Sequence, residues 1–212
     1  MCGIEPQNYQ NSYATFVKRM LNRGIHYNLR PIERSIQQTP VLQHSVKVMD
    51  QKRQVFEQAA EMLAQLGFTV VKMDDTRPWG GFYVLDETQA AQFAAHFFPD
   101  ENVDALKITS KLSPKILLVA PHARLSWQYH HRRAEIWKCI SSSVGVITSD
   151  TDEEKHQHTL LNGDIIKLKQ GERHRLIGLE EWGMVAEIWQ HTDAEHPSDE
   201  EDIVRVQDDF GR

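Results

Sequence analysis

The sequence predicts a mainly β domain, built as a sandwich or barrel, behind an N-terminal helical extension. From residue 68 onward, short apolar runs are separated by short linkers rich in Gly, Asp, Asn and Ser. Many short strands at roughly regular spacing are typical of all-β sandwiches and barrels. Before residue 68, apolar residues recur at helical spacing instead. We therefore predict a helical extension over residues 1–75 and a β domain over residues 76–212.

Helices account for most of the extension. Apolar residues at helical spacing predict one helix over Ser12–Met20, and Pro31 is suited to open a second, short one. A long helix is predicted over Val41–Leu66, where Gly67 ends the pattern. This region is expected either to cover the barrel mouth as a lid or to mediate self-association.

The β pattern begins with a strand at the end of the extension, and the domain from residue 76 is predicted to begin with a turn and to contain one more helix. Residues 77–81, Arg-Pro-Trp-Gly-Gly, indicate the turn, and Thr88–Phe98 has the composition of a short helix. Residues 193–212 form an acidic tail without a clear period. The predicted strands are Phe68–Met73, Lys115–Pro121, Leu125–His130, Glu135–Ile140, Val144–Thr148, Ile165–Leu168, His174–Ile177 and Met184–Trp189.

Composition excludes several classes of partner. The 212 residues include 24 Lys and Arg against 30 Asp and Glu, a net charge of −6, so we expect no nucleic-acid partner. The longest apolar run, Ile116–Pro121, is far short of the roughly 20 residues that span a bilayer, so no membrane partner is expected. The first residues lack a signal-peptide pattern, and two cysteines make no disulfide framework. A cytoplasmic location is expected.

Three polar residues in one segment suggest a site. On a strand, Gln128 and His130 share a face, with Ser126 beside them. A bend after His130 would bring Glu135, five residues later, against it. An amide oxygen, an imidazole nitrogen and a carboxylate suit Zn²⁺, Mn²⁺, Ni²⁺ or Fe²⁺. The alternative is that His130 and Glu135 form an ordinary hydrogen-bonded pair.

A second segment strengthens the case for a metal. Gly163 is expected in a turn before a strand, and Gly171 in the turn that follows this strand. His174 then stands at the start of the next strand. Together the two segments resemble the two signature motifs of the cupin superfamily. The second motif departs from the family pattern at Lys169, where cupins have Pro, and at Gly178, where they have Asn.

The resemblance narrows to the cupin domain of type II mannose-6-phosphate isomerases. It rests on Leu-Ser-Trp-Gln-Tyr-His at residues 125–130, Arg-Pro-Trp-Gly at residues 77–80, and the C-terminal residues 201–212. This resemblance implies a cupin-type jelly-roll barrel, also called a double-stranded β-helix, that commonly dimerises. It implies a sugar or sugar phosphate as the small-molecule partner, and a homodimer. The implied ligands of one divalent metal ion, with zinc the first choice, are Gln128, His130, Glu135 and His174.

The implied activity is aldose–ketose isomerisation, with mannose 6-phosphate and fructose 6-phosphate as the best single pair. The residues proposed for catalysis are Glu187, Lys115 and Arg205. Glu187 lies in an apolar strand, where burial would raise its pKa, although pairing with a cation is the alternative. His131 is a weaker candidate for the base because it has the opposite strand parity. The candidate substrate-binding residues are Ser126, Arg124 and Arg212.

Other notable side chains receive structural interpretations. Trp79, Trp127, Trp137 and Trp189 are expected in the core, with stacking on a sugar ring as the alternative. Cys139 is expected in the core as well. The remaining histidines of the β region are expected in solvated loops or in the tail: His156, His158, His191 and His196.

Two other functions compete with the isomerase. One is a non-catalytic cupin that binds or senses a carbohydrate, and the other is a dioxygenase or epimerase on the same metal site. Gln128 as a ligand and the Asp-Ile-Val-Arg sequence at residues 202–205 favour the isomerase over an oxygenase. The fold hosts many chemistries, so the fold alone does not decide among them.

Overall fold

The computed structural model describes residues 40–102 and 111–211. A boundary between two compact units falls between Met49 and Asp50, and the packing described below concerns the unit that begins at Asp50. The helices predicted over Ser12–Met20 and at Pro31 lie outside the described residues.

The described ranges contain helices α1 (Pro40–Gln65) and α2 (Ala90–Phe97), with a short 3-10 turn at Glu87–Gln89. They also contain eleven strands: β1 (Val70–Asp74), β2 (Gly80–Leu85), β3 (Lys115–Val119), β4 (Trp127–Tyr129), β5 (Arg133–Ser141), β6 (Ser143–Ser149), β7 (His158–Leu161), β8 (Ile165–Leu168), β9 (Arg173–Gly178), β10 (Gly183–His191) and β11 (Val204–Gln207).

The strands form two antiparallel sheets. The first has six strands in the order β1-β2-β3-β10-β5-β8, and the second has five in the order β11-β4-β9-β6-β7. Neighbours in each sheet come from distant parts of the chain, as a jelly roll requires. The predicted fold class, a mainly β jelly-roll barrel, is confirmed.

The central strands of the six-stranded sheet are buried on both faces, and each face has its own apolar cluster. In β3, Ile116 and Leu118 belong to the cluster that contains Phe56 of α1 and Phe93 of α2. The alternate residue Leu117 belongs to the barrel interior. The helices therefore cover the outer face, which explains why β3 reads as a continuous apolar run rather than an alternation.

Two glycines stand where a side chain would collide with a neighbouring strand. Gly80 has φ +140°, and a Cβ there would lie 1.9 Å from the carbonyl oxygen of Leu118. A Cβ on Gly178 would lie 1.9 Å from the carbonyl oxygen of Ala120. This close approach explains why Gly178 cannot be the asparagine of the cupin motif.

All eight predicted strands are confirmed, with ends shifted by a few residues, and so are the helices predicted over Val41–Leu66 and Thr88–Phe98. Strands β7 and β11 were missed because nearly all of their side chains are exposed, so they show no apolar alternation. Strand β2 was missed because its first two residues, Gly80 and Gly81, were assigned to the turn. The domain boundary after residue 75 stays a prediction. Among the described helices, none is long and apolar enough to cross a membrane.

Candidate metal centre

Three potential ligands meet inside the barrel. Glu135 comes from β5 of the six-stranded sheet, while His130, which directly follows β4, and His174 of β9 come from the other sheet. Each is at most 2% exposed. One ligand atom from each residue can be chosen so that all lie within 4.8 Å of one another. The two segments that carry the predicted ligands are therefore brought together.

Both imidazoles turn the same nitrogen toward the carboxylate. His130 Nδ1 lies 2.9 Å from the carbonyl oxygen of Asp202, and His174 Nδ1 lies 2.9 Å from that of Glu172. Because a carbonyl oxygen only accepts, each Nδ1 carries the hydrogen and each Nε2 presents a lone pair in the neutral ring. The Nε2 atoms lie 3.1 Å and 3.5 Å from the two oxygens of Glu135.

The electrostatics favour the metal-binding protonation states. Burial alone would raise the pKa of Glu135, but the neighbouring charges of His130 and Arg133 hold that pKa well below its usual range. Burial lowers the pKa of His174 to about 4, against the attraction of Glu135. At neutral pH the carboxylate is therefore ionised and His174 is neutral, as metal ligands must be.

Gln128 lies beside this group. It is paired with His174 across β4 and β9, and it lines the same pocket as Glu135. Its Oε1 accepts a hydrogen bond of 2.6 Å from Ser126 Oγ. Ser126 thus orients the amide, which is a role for the predicted substrate-binding residue that the sequence did not suggest.

The residues present fit a divalent ion. His174 Nε2 is buried and has no hydrogen-bond partner among the described residues, so one lone pair in the centre is unused. Two imidazole nitrogens, a carboxylate and a nearby amide oxygen make a mixed set that suits Zn²⁺, Mn²⁺, Ni²⁺ or Fe²⁺. The geometry does not choose among these ions.

A pocket of about 590 Å³, including its open mouth, leads to the centre. Its lining contains both aromatic rings and charges of both signs, as a pocket for a polar small molecule can. The lining residues are Arg77, Trp79, Phe82, Lys115, Leu117, Leu125, Ser126, Gln128, Arg133, Glu135, Trp137, Glu187, Trp189, Glu200, Ile203 and Arg205.

A second buried carboxylate, Glu187 of β10, stands next to Glu135. The indole N–H of Trp137 lies 2.9 Å from Glu187 Oε1 and 3.1 Å from Glu135 Oε2, so it joins the two carboxylates. Burial raises the pKa of Glu187 to about 8, and repulsion from Glu135 adds to this against the attraction of Lys115. The sequence predicted that burial would raise the pKa of Glu187, and the structure agrees with that direction.

Lys115 lies in the same pocket as Glu187 and directly opposite it in the sheet. The residue is 6% exposed. Its ammonium group pairs with Glu200 and lies 3.5 Å from the centre of the Trp189 ring. Such a cation is held in place rather than solvated at a strand end.

Arg205, predicted to act in catalysis, lines the pocket and is paired with Gln128 across β11 and β4. The two remaining predicted substrate-binding residues are Arg124 and Arg212. Arg124 is outside the lining and forms a two-pronged ion pair with Asp209. Arg212 lies outside the described residues.

Sequence reasoning missed Arg133. This arginine is 2% exposed and contacts both Glu135 and His130. It lies two residues before Glu135 on one strand, so strand parity put it on the same face. That signal was available, but a lone arginine beside a turn is usually at the surface.

Among the other histidines, His131, His156, His158 and His196 are exposed. The prediction for His191 was wrong, because the residue is fully buried at the end of β10. Its Nδ1 accepts from the backbone N–H of Ser198, and its Nε2 lies 3.3 Å from Ser113 Oγ.

The predicted core residues lie in the core. Cys139 is fully buried, and burial raises the pKa of its thiol. All four tryptophans assigned to the core are at most 5% exposed, and Trp79, Trp137 and Trp189 also line the pocket.

Solved structures with similarity to the chain include three differently named proteins. KdgF from Halomonas sp. is 13% identical, with 58% of this chain and 90% of that chain covered and a TM-score of 0.41. A cupin 2 conserved barrel domain protein from Salinispora arenicola is 21% identical, with 40% and 65% covered and a TM-score of 0.34. The capsular polysaccharide assembling protein CapF from Staphylococcus aureus is 10% identical, with 65% and 34% covered and a TM-score of 0.44.

No curated protein matches the chain. The family described as the mannose-6-phosphate isomerase C-terminal domain has a sequence model that matches residues 89–208. This match spans more than half of the chain, and it contains the four predicted ligands together with Glu187, Lys115 and Arg205. The chain therefore belongs to the mannose-6-phosphate isomerase C-terminal family, a family of cupin domains.

Proposed function

We propose that the protein is a metal-dependent aldose–ketose isomerase that acts on a sugar phosphate, with mannose 6-phosphate and fructose 6-phosphate as the first pair to test. The observation that carries the proposal is a buried His-Glu-His group whose carboxylate, Glu135, lines one pocket together with a second buried carboxylate, Glu187. Family membership supports the sugar-phosphate substrate.

The reaction moves a proton between C1 and C2 while negative charge develops on oxygen. Gln128, His130, Glu135 and His174 would hold a divalent ion, which polarises the sugar carbonyl and stabilises that charge. Buried carbonyl partners fix the orientation of both imidazoles. The two imidazole rings therefore need little reorientation to act as ligands.

Glu187 is the group proposed to move the proton. A carboxylate with pKa about 8 takes up and returns a proton near neutral pH, which an ordinary glutamate does poorly. The bond from the Trp137 indole holds Glu187 Oε1 at a fixed place beside the metal ligand Glu135. Proton transfer and charge stabilisation would thus take place side by side.

The phosphate group needs cationic anchors. Lys115 and Arg205 line the same pocket as Glu187 and are the proposed anchors. The positive charge of Lys115 also lowers the pKa of Glu187, so this lysine would act on both the substrate and the candidate base. The homodimer and the cytoplasmic location stay predictions.

The test is interconversion of mannose 6-phosphate and fructose 6-phosphate by protein stripped with a chelator and reloaded with zinc, manganese, nickel or iron. We expect activity to return with metal and to fall at least about 10³-fold in His174→Ala. His131→Ala is the matched control, because that neighbouring histidine is exposed and is not a predicted ligand.

Two results would contradict the proposal. Equal activity in His174→Ala and His131→Ala would remove the metal centre from the reaction. Stoichiometric metal binding without turnover would exclude this isomerase activity and leave carbohydrate binding as the function to test next.

A further inference from the structure

Arg133 places a guanidinium group inside the candidate metal centre. Its Nε donates to Glu135 Oε1 over 2.7 Å, and a terminal nitrogen lies 3.1 Å from His130 Nε2. The Nδ1–H of His130 already donates to a carbonyl oxygen, so Nε2 is the acceptor in this contact. Two atoms that would bind a divalent ion are therefore hydrogen-bonded to Arg133.

The guanidinium is also held from its other side. Its NH1 donates to Ser198 Oγ over 2.8 Å and to the carbonyl oxygen of Asp199 over 3.0 Å. Its carbon Cζ lies 3.7 Å from the centre of the Trp189 ring. Every nitrogen of Arg133 thus has a partner, and the side chain is 2% exposed. These contacts hold the guanidinium cation in one defined position.

The guanidinium and a metal ion exclude each other at these atoms. The single lone pair of His130 Nε2 either accepts a hydrogen bond or binds a metal. Two positive charges at one buried carboxylate oxygen would also repel strongly. We propose that Arg133 is a built-in competitor for the divalent ion. Metal binding displaces its guanidinium from His130 and Glu135.

The displacement would reach a loop at the pocket mouth, residues 198–202, which Arg133 holds through two bonds. The carboxylate of Asp202 fixes this loop to the backbone N–H groups of residues 131 and 132. Glu200 of the loop pairs with Lys115 inside the pocket. Movement of Arg133 would therefore couple metal occupancy to the loop that carries a pocket residue.

The inference rests on the proposed function only in requiring that the centre binds a divalent ion. Arg133→Met tests it, because methionine keeps an apolar contact with Trp189 but donates no hydrogen bond. Arg132→Met is the matched control. Arg132 pairs with Asp199 and Asp202 of the same loop and contacts no predicted ligand side chain in its described bonds.

Two measurements on the metal-stripped full chain are needed, and neither depends on turnover. Competition with a chromophoric chelator gives the zinc dissociation constant at neutral pH. Hydrogen exchange of the loop amides, with and without zinc, reports the coupling. We expect Arg133→Met to bind zinc at least about tenfold more tightly than the wild type, and Arg132→Met to stay within about twofold. Zinc should speed loop exchange in the wild type.

Equal or weaker zinc binding by Arg133→Met would overturn the competition while leaving the metal centre intact. Loop exchange in the wild type that zinc leaves unchanged, or slows, would overturn the coupling, and this result needs no variant. Absence of zinc binding by both the wild type and Arg133→Met would overturn this inference and the proposed metal-dependent function together.

Discussion

The two faces of the six-stranded sheet both carry buried apolar clusters, but the inner face also carries the buried ionisable side chains of the candidate site. On the outer face, Ile116, Ile136 and Ile188 pack under the helices in an apolar cluster. Their immediate neighbours in sequence, Lys115, Glu135 and Glu187, point into the barrel and are at most 6% exposed. One step along a strand therefore separates core packing from the candidate site.

A contribution to folding stability does not explain why ionisable side chains are buried on the inner face. Buried ion pairs rarely contribute more stability than well-packed apolar side chains of the same volume. The outer face shows that this sheet can be covered by apolar residues on the same strands. We infer that the inner charges are retained for chemistry. Substitutions on the inner face should therefore change activity more than stability, and substitutions on the outer face should do the reverse.

Glu187→Gln should have the largest effect on chemistry with little effect on folding. The amide keeps the shape of the side chain and still accepts from Trp137, but it cannot exchange a proton, so kcat should fall about 10³-fold. Burial raises the pKa of Glu187 to about 8 in the metal-free protein, and a bound cation would lower it, so the wild-type kcat should rise with pH over a range that ends at or below about pH 8 as Glu187 becomes the ionised base. Steady-state kinetics and thermal melting of both proteins check this. A kcat within a few-fold of the wild type would exclude Glu187 as the base.

Ile188→Ala should give the opposite result one residue later. Ile188 is 1% exposed in the outer cluster, so the deletion should lower the free energy of unfolding by roughly 2–4 kcal/mol through lost burial and a cavity. The kcat of the folded fraction should stay within about twofold of the wild type. Urea denaturation and active-site-normalised kinetics measure both quantities. A large fall in kcat with unchanged stability would contradict the inference that the outer face serves stability and the inner face serves activity.

Acid should destabilise the metal-free protein through two buried histidines. Burial lowers the pKa of both His174 and His191 to about 4. The unfolded chain binds these protons more readily, because its histidines have an ordinary pKa near 6.5. Stability is therefore complete above about pH 6.5 and is lost as the pH falls toward 4, by roughly 3 kcal/mol for each histidine.

His191→Gln separates the two histidines, because glutamine stays neutral at every pH. The variant should lose about half of the pH dependence between pH 6.5 and 4 in urea denaturation of metal-free protein. An unchanged pH profile would show that His191 is readily protonated in the folded state.

The smallest effects concern two arginines, the proposed phosphate anchor Arg205 and the predicted substrate-binding residue Arg124 that lies outside the pocket lining. Arg205→Ala should raise KM for the sugar phosphate by about tenfold, since Arg205 lines the pocket. Arg124→Ala should leave KM unchanged and cost at most about 1 kcal/mol of stability, since Arg124 pairs with Asp209 at the surface. KM values and thermal melts of the two variants compare them directly. A rise in KM for Arg124→Ala alone would reverse these assignments.

Local patterns predicted much of this molecule. Strand parity placed Gln128 and His130 on one face, a bend after His130 was expected to return Glu135 to them, and the cupin resemblance added His174 as a ligand. These motifs occupy short, continuous segments, so they can be recognised without knowledge of the fold. Exposed edge strands such as Val204–Gln207 escaped prediction because their side chains face solvent and leave no apolar alternation.

Contacts between distant segments could not be predicted in the same way. The bond from Arg133 to Ser198 spans 65 positions, and the one from Lys115 to Glu200 spans 85. The burial of His191 likewise depends on Ser113, which is 78 residues away. Each of these contacts depends on strand order and register, which no local pattern encodes.

The sequence by itself determined the fold class, most strand positions and the residues offered as metal ligands, because periodicity and motif spacing are properties of neighbouring residues. Only the tertiary structure decided that Trp137 joins two carboxylates, that Arg124 pairs with Asp209 outside the pocket, and that Arg133 enters the ligand group. These outcomes depend on which strands lie side by side in the two facing sheets, and burial there makes each buried charge find a partner.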